Sequence, residues 1–297
     1  NKIWNAFRLV KGWQVADIKQ PEYAKLATEW FDSMLAKTAE EVNDLFGKYR
    51  LSEALMAVYK LFWDEFSSWL LEIVKPAYGQ PVNGFIYSMT LSAFERLLAM
   101  LHPFMPFITE EIFCTLQSEE ETIMLSKWPE YKEEWNFPAE EAAIEHCKDL
   151  VKGIRNVRTE MDVPPSRKAK LYITSEDAGL RTVFEENKEV YVNLASTSEI
   201  IVQADKNGIS EDAVSVVIPG AVLYLPLEDL VDFEKEKERL HKEKDKLTKE
   251  LARSKGMLSN EKFLNNAKPE KVQEEKDKLA KYEQMMAQVE ARLAQMK

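Results

Sequence analysis

The apolar positions in residues 1–142 recur at helical spacing. Intervals of three and four residues place these side chains on one face of an α-helix, and prolines stand at the ends of several runs. Ile3, Phe7 and Val10 already share such a face in the opening segment. The pattern predicts an up-and-down helical bundle. The predicted helices after the opening segment cover residues 22–46, 51–75, about 85–101 and 109–116.

Residues 143–226 change from helical spacing to short alternating runs. These runs are rich in β-branched residues and alternate between polar and apolar positions, as half-buried strands do. Two of them flank Pro219-Gly220, which predicts a turn. We therefore expect a small α+β module with three or four strands. Helices are predicted at about 140–160 and 176–194, and strands at 169–174, 199–203, 214–218 and 221–225.

Residues 227–297 carry two runs of heptad repeats. Apolar residues predominate at the two positions of each heptad that form a coiled-coil seam. The interruption from Ser259 to Pro269 is long enough to reverse the chain. Two helices of about 30 residues, each about 45 Å long, therefore predict an antiparallel coiled-coil hairpin. An intermolecular coiled-coil dimer is the alternative, and the similar lengths of the two runs favour the hairpin. The seam positions are Leu230, Phe233, Lys237, Leu240, Lys244, Leu247, Leu251, Ser254 and Leu258, then Val272, Glu275, Leu279, Tyr282, Met286, Val289, Leu293 and Met296.

Composition supports a mainly α fold and argues against several protein classes. Hydrophobic residues make up 45% of the 297, enough for real cores, while 9 glycines are few for a many-stranded sheet. Cys114 and Cys147 lack the C-x-x-C spacing of a zinc site, and two distant cysteines do not suggest a disulfide scaffold. No apolar run approaches the roughly 20 residues of a membrane span. We expect a cytoplasmic protein with no membrane partner.

The charge of the chain is distributed unevenly. The net charge of −11 argues against nucleic acid as a partner, yet residues 235–281 are net basic while the remainder is strongly acidic. A basic arm on an acidic body predicts an anionic partner for the arm. The alternative is a coiled coil whose outer positions are rich in lysine and glutamate for solubility alone, and charge by itself favours that alternative.

Catalytic motifs are missing from the sequence. The three histidines, His102, His146 and His241, fall on separate predicted elements without a nearby metal-ligand or triad pattern. No glycine-rich phosphate loop or nucleophile elbow is present. We therefore predict a binding unit with no catalytic residue, metal or cofactor of its own.

Four segments resemble valine–tRNA ligases, and the resemblance covers nearly the whole chain. The opening of the family's anticodon-binding domain is similar to residues 1–9, NKIWNAFRL, and its next signature is similar to residues 62–72, FWDEFSSWLLE. Residues 101–112, LHPFMPFITEEI, resemble a segment shared by the valine, isoleucine and leucine enzymes. Residues 262–272, KFLNNAKPEKV, look like the arm motif of the valine enzymes. The first residue is not methionine, so we expect a piece of a longer protein.

The resemblance implies a chain that holds valine tRNA at two distant points. ATP, Mg²⁺ and the aminoacylation chemistry would belong to a catalytic domain outside this piece, and we expect a monomer that binds tRNA and no DNA. Unpaired anticodon bases are recognised by stacking and by hydrogen bonds to their exposed edges, whereas contacts to phosphates are blind to sequence and sensitive to salt. The implied anticodon-binding residues are Lys2, Asn5, Arg8, Leu9 and Glu72, and the implied tRNA elbow-binding residues are Arg253, Lys255, Lys262, Phe263 and Lys268.

Several alternatives stay open at this point. The chain resembles the isoleucine and leucine enzymes in part, but it lacks the cysteine-rich zinc module that commonly ends isoleucine enzymes. A helical scaffold that recruits proteins through its coiled coil is a hypothesis of another class. Among single residues, Glu72 is equally compatible with a solvated helix end, and Phe263 is slightly better explained as a pin for the hairpin turn. Trp63, Phe66 and Trp69 are expected in the core.

Overall fold

The computed structural model describes residues 1–116, 121–164, 166–230, 233–260 and 269–295. The chain divides into two compact units, Asn1–Leu225 and Pro226–Lys297, called unit 1 and unit 2 below. The chain is mainly α, as the sequence predicts. The boundaries of the three domains proposed from the sequence stay predictions.

Unit 1 begins with a bundle of helices, and their positions confirm the helical spacing. Each predicted helix of the bundle is present, with ends that differ from the prediction by a few residues. The bundle elements are α1 (Lys2–Lys11), α2 (Glu22–Gly47), α3 (Leu51–Lys60), a π-helix (Leu61–Leu70), α4 (Leu71–Val74), α5 (Gly84–Leu101) and α6 (Pro106–Leu116), followed by short 3-10 turns at Ile123–Leu125 and Glu133–Trp135.

Helix α2 forms the centre of the bundle. It packs against α3, α5 and the long helix α7 (Pro138–Glu160). Trp30, Phe31 and Leu35 are at most 1% exposed because the helix is covered on several sides. Burying side chains of this size contributes about 1.5–3 kcal/mol each relative to exposure. This core holds the elements on which the candidate site is built.

The π-helix changes which residues of its segment face the core. The hydroxyls of Ser67 and Ser68 donate to the carbonyl oxygens of Phe62 and Trp63, five residues back, as the wider turn of a π-helix brings these groups together. Helices of this type are rare and sequence spacing does not signal them.

Phe66, one of the three aromatic residues expected in the core, is fully buried there. Trp69 is half-buried. The prediction for Trp63 is wrong, because its side chain is 40% exposed. Trp63 lies on the outer face of the π-helix, beside Lys2 of α1.

Two short strands pair in parallel and hold together the segment after α1 and the segment before α5. Strand β1 (Val15–Ala16) pairs with β2 (Val82–Asn83). The side chain of Asn83 caps α5 by accepting from the backbone amides of Phe85 and Ile86. The same side chain donates to the carbonyl oxygen of Ile18, so it fixes the start of α5 against the segment that leaves α1.

The small α+β module predicted from the sequence is present in unit 1. Its four strands lie in the order β4-β3-β6-β5, with β3 parallel to β4 and antiparallel to β6. The turn between β5 and β6 contains Gly220 at a φ of 76°, a conformation that suits glycine. Two short helices precede β4. The elements are β3 (Ala169–Thr174), α8 (Ala178–Glu186), α9 (Lys188–Leu194), β4 (Thr197–Gln203), β5 (Val214–Ile218) and β6 (Ala221–Leu225).

Unit 2 contains a short helix, α10 (Leu227–Leu230), and two long helices, α11 (Phe233–Leu258) and α12 (Pro269–Gln295). The long helices pack against each other, and Leu247 and Val289, both predicted seam residues, are buried between them. Lys244 pairs with Glu290 and Lys255 with Glu283, which makes the pairing antiparallel. The connection lies mostly outside the described residues, so the complete coiled-coil hairpin stays a prediction.

Candidate nucleic-acid interface

Helix α1 presents one apolar face to the bundle and one polar face to solvent. Its apolar residues, Ile3, Ala6, Phe7 and Val10, are at most 9% exposed. Among the predicted anticodon-binding residues, Asn5, Arg8 and Leu9 are exposed, and Leu9 is 41% exposed despite being apolar. Lys2, Asn5 and Leu9 share one side of the helix at intervals of three and four residues. Residues on this side can touch a ligand without disturbing the core.

Lys2 lies against the π-helix rather than extending into solvent. Its Nζ atom donates to the carbonyl oxygen of Trp63 at 3.0 Å and to Ser68 Oγ at 3.4 Å. The same ammonium lies 3.9 Å from the centre of the Trp63 ring, a cation–π contact. Partial burial lowers the pKa of Lys2, and the nearby carboxylate of Asp64 acts in the opposite direction.

The sequence-based interpretation missed an exposed aromatic pair beside Lys2. Tyr59 and Trp63 are each 40% exposed, and their rings stack with centres 5.3 Å apart and planes 16° from parallel. Their spacing of four residues could have signalled a shared face, but the density of apolar residues in this segment concealed which face is outward. The pair extends the polar side of α1 by a flat aromatic surface, on which unpaired bases can stack.

Glu72 lies in α4, directly after the π-helix, and its carboxylate pairs with Lys75 Nζ at 2.6 Å. The two side chains are 39% and 43% exposed, so the pair is solvated and contributes little to stability. Glu72 also lines a cavity of about 440 Å³. The structure thus places Lys2 beside the π-helix and Glu72 at this cavity further along the same helical run.

The cavity is lined by both the bundle and the α+β module of unit 1. The bundle contributes Glu72 and the segments that precede α2 and α5, and α7 and α9 contribute Arg155 and Leu194. Polar and apolar side chains both line it. Other lining residues include Ile18, Tyr23, Val74, Tyr78, Gln80 and Asn83.

Two of the five predicted elbow-binding residues can be placed in unit 2. Arg253 and Lys255 have side chains that are 72% and 60% exposed on α11. Lys255 Nζ lies 3.1 Å from Glu283 on α12, and Arg253 Nη1 lies 4.0 Å from Glu250. Exposed pairs of this kind exchange partners at little cost, so both cations are accessible to an anion. Lys262, Phe263 and Lys268 lie outside the described residues.

Metal-binding clusters and membrane spans are both absent from the described ranges. No group of three or more His, Cys, Asp or Glu side chains there is arranged to hold a metal ion. No helix in this part of the chain is both long enough and apolar enough to cross a membrane. The ring of His102 contacts Thr109 Oγ1 at 2.8 Å, and that of His146 contacts Phe184, so both histidines take part in packing.

Two family models match the chain, and each match falls within one of the two units. Residues 28–173 match the model of the anticodon-binding domain of tRNA ligase, and residues 232–297 match that of the valyl tRNA synthetase tRNA binding arm. The whole chain is 44% identical to the valine–tRNA ligase of Phocaeicola vulgatus over 306 aligned residues, and 43% identical to that of Clostridium tetani over 304. The chain belongs to the valine–tRNA ligase family. It spans about a third of the length of these relatives, 33% and 34%.

Membership of the valine–tRNA ligase family decides between the alternatives that the sequence left open. A more distant relative, from Christiangramia forsetii, is a valine–tRNA ligase too and is 36% identical over the whole chain. The isoleucine and leucine enzymes are therefore disfavoured, as is an unrelated scaffold. Glu72 lies inside the matched anticodon-binding domain, whereas α1 precedes the matched stretch. The matched arm contains all five predicted elbow-binding residues.

Proposed function

We propose that this chain holds valine tRNA at the anticodon and at the elbow, and so supports ATP-dependent aminoacylation by a longer valine–tRNA ligase. The observation that carries the proposal is the pair of family matches, an anticodon-binding domain in unit 1 and a tRNA-binding arm in unit 2. We propose further that the chain acts in the cytoplasm as a monomer, with ATP and Mg²⁺ bound elsewhere in the longer protein.

The exposed side of α1 supports readout of the anticodon. Asn5 can donate to and accept from base edges, Arg8 can donate to a base or a phosphate, and Leu9 offers an apolar surface to a base. These side chains are exposed while the opposite face of α1 is buried. A rigid helix therefore presents them at fixed separations, which is what selection between bases requires.

The arm supports a different kind of contact. Arg253 and Lys255 are exposed cations in a helix pair whose sequence is net basic around them. Each phosphate that such a side chain neutralises releases counterions, so arm contacts raise affinity for any tRNA and weaken as salt increases. Specificity for valine tRNA is thus assigned to unit 1, and salt-sensitive affinity for any tRNA is assigned to unit 2.

Binding to three RNAs at two salt concentrations tests this assignment. The RNAs are valine tRNA, the same tRNA with a swapped anticodon, and an unrelated tRNA. Arg8→Ala should reduce the preference for valine tRNA, and the matched control Arg50→Ala, at an exposed arginine paired with Glu53, should not. The double variant Arg253→Ala/Lys255→Ala should weaken binding to all three RNAs and reduce the salt slope by about 1 for each phosphate that is no longer neutralised.

Two results would contradict the proposal in different ways. Equal binding of the three RNAs by the unaltered chain would remove anticodon readout and leave only the arm. An absence of RNA binding, even at low salt, would remove both roles and favour a protein-recruiting coiled coil.

A further inference from the structure

Helix α3 and the π-helix that continues it carry an apolar stripe on the side that faces away from the bundle. Met56, Tyr59 and Trp63, called the α3 stripe below, are 51%, 40% and 40% exposed, and their spacing of three and four residues places them on one face. The opposite face is covered, because Ala54 and Val58 are fully buried. A surface helix needs one apolar face to pack within its own unit, so the fold of unit 1 does not account for the second.

The α3 stripe is ordered by contacts within unit 1. Tyr59 and Trp63 stack, with ring centres 5.3 Å apart and planes 16° from parallel. Lys2 of α1 holds Trp63 from the side, since its Nζ atom lies 3.9 Å from the centre of that ring and donates to the carbonyl oxygen of Trp63 at 3.0 Å. Side chains that are already ordered lose little conformational entropy when a partner binds, so this surface favours association.

A groove between α2 and α3 borders the α3 stripe at Met56. Its volume is about 440 Å³, and its apolar lining includes Met34, Ala57 and Leu61. Methionine, tyrosine and tryptophan are enriched where proteins contact each other, and a recess beside such side chains can receive one from the partner. The stripe and the groove therefore form one surface with the composition of a protein interface.

The charges at this surface distinguish a protein partner from RNA. A stacked aromatic pair can also take up bases, but an RNA-binding surface carries an excess of cations that neutralises the phosphate backbone. Cations and carboxylates are equal in number around the stripe and the groove, so this excess is missing. The cations are Lys2, Arg50, Lys60 and Lys148, and the carboxylates are Glu41, Glu53, Asp64 and Glu65.

The relatives indicate what can cover this surface. This chain makes up 33% and 34% of the enzymes from Phocaeicola vulgatus and Clostridium tetani, and it aligns with the C-terminal third. In a full-length enzyme of this family the polypeptide therefore continues ahead of α1. Because Lys2 of α1 lies on Trp63, the preceding part of such an enzyme enters unit 1 next to the α3 stripe.

We propose that the α3 stripe and its groove dock the part of a full-length valine–tRNA ligase that precedes this chain. That part should present apolar side chains to the stripe, insert one of them into the groove and surround them with charges of both signs. The inference goes beyond tRNA binding and rests only on the longer enzyme of the proposed function. A contact here would link the unit that reads the anticodon to the part that carries out aminoacylation.

Hydroxyl-radical footprinting read out by mass spectrometry tests this docking, because exposed methionine and aromatic side chains are readily oxidised. The isolated chain and the full-length enzyme are compared without tRNA. In the full-length enzyme the oxidation rates of Met56, Tyr59 and Trp63 should fall at least about fivefold, as for side chains that enter the core of an interface. Tyr78 is the matched control, because it is fully exposed and lies beyond α4, and its rate should be the same in both proteins.

Tyr59→Glu in the full-length enzyme gives a second readout. A carboxylate in an apolar interface carries a large desolvation cost, so the oxidation of Met56 and Trp63 should return to within about twofold of the rates in the isolated chain. Val217→Glu is the control variant, since Val217 is 80% exposed on β5, and it should leave the protection unchanged. Circular dichroism establishes that both variants remain folded.

Three outcomes would overturn the inference. The stripe residues could be oxidised at equal rates in the isolated chain and in the full-length enzyme, which would exclude docking. They could already react slowly in the isolated chain, which would mean that the chain covers them itself. Valine tRNA could protect them where the rest of the polypeptide does not, which would make the surface an RNA contact. A failure of tRNA binding, by contrast, would overturn the proposed function and leave the docking surface intact.

Discussion

Lys148 places a charged side chain in the interior of unit 1, with only 3% of it exposed. Its Nζ atom lies 2.5 Å from a carboxylate oxygen of Glu65 in the π-helix and 2.7 Å from one of Glu145 in α7 itself. The ammonium also lies 4.6 Å from the centre of the Trp30 ring in α2. Lys148 therefore joins α7, and with it the α+β module, to the helical bundle.

We predict that Lys148→Met lowers the free energy of unfolding of unit 1 by about 1–3 kcal/mol. Removing one partner of a fully buried ion pair costs about 3–5 kcal/mol. The cost is smaller here because Glu65 is 23% exposed and Glu145 57% exposed, so water can solvate the carboxylates left behind. Methionine keeps most of the packing of the lysine stem, so the loss reports mainly the charge.

Tryptophan fluorescence during urea unfolding measures this change, because all 7 tryptophans lie within unit 1. A double-mutant cycle with Glu65→Gln separates the pair from other effects, and we expect a coupling of about 1–2 kcal/mol. Lys48→Ala serves as a control, since Lys48 is 59% exposed and its pair with Asp44 is solvated. A coupling below about 0.5 kcal/mol would refute the reasoning that this ion pair fastens α7.

Three further predictions concern packing and titration. Burial raises the pKa of Cys147 to about 11. A thiol reagent at pH 8 should therefore modify the exposed Cys114 in the folded chain and reach Cys147 only after unfolding. Rapid reaction of both thiols in the folded chain would contradict this prediction. Gly220→Ala should destabilise unit 1 by at least about 1 kcal/mol in urea, because φ is 76° and the new Cβ would lie 2.7 Å from a leucine methyl group. In unit 2, the hydrogen bond that Ser254 donates lowers the pKa of Glu275. The bond therefore stabilises the folded state at pH values above the ordinary pKa of glutamate, and this stabilisation is lost as the pH falls through the lowered pKa of the folded state. Ser254→Ala should raise that pKa in an NMR titration, and an unchanged value would show that the bond is not formed.

The regular elements could be predicted because their burial follows a constant period. Strands at Ala169–Thr174, Val214–Ile218 and Ala221–Leu225 have the predicted limits, since each alternates between a buried and an outward face. In unit 2 the described seam positions are less exposed than most of their neighbours, as in Leu247 and Ser254. In both cases one local rule determines which side chains are covered.

The candidate site could be predicted only in part, because it depends on an outward helix face within an apolar-rich segment and on contacts between distant segments. Helical spacing placed Asn5 and Leu9 on an exposed side of α1. The core prediction failed for Trp63, because the segment is so rich in apolar residues that composition does not show which face is outward. Trp63 shares the exposed face of Tyr59, four residues before it. The cavity brings together residues as far apart as Ile18 and Leu194, and no local pattern encodes that proximity.

The position of Arg155 connects the stability of α7 to RNA binding, and this gives a last prediction. Arg155 follows Lys148 by seven residues, which is about two turns or 10 Å along α7, so both side chains leave the same face of the helix. Lys148 holds that face against the bundle, and Arg155 reaches the cavity from it. Lys148→Met should therefore weaken the binding of valine tRNA at temperatures where unit 1 is still folded. The effect should be absent from Arg155→Met, where the guanidinium at the cavity has already been removed. If Lys148→Met weakens binding equally in both backgrounds, the ion pair affects RNA by a route other than Arg155.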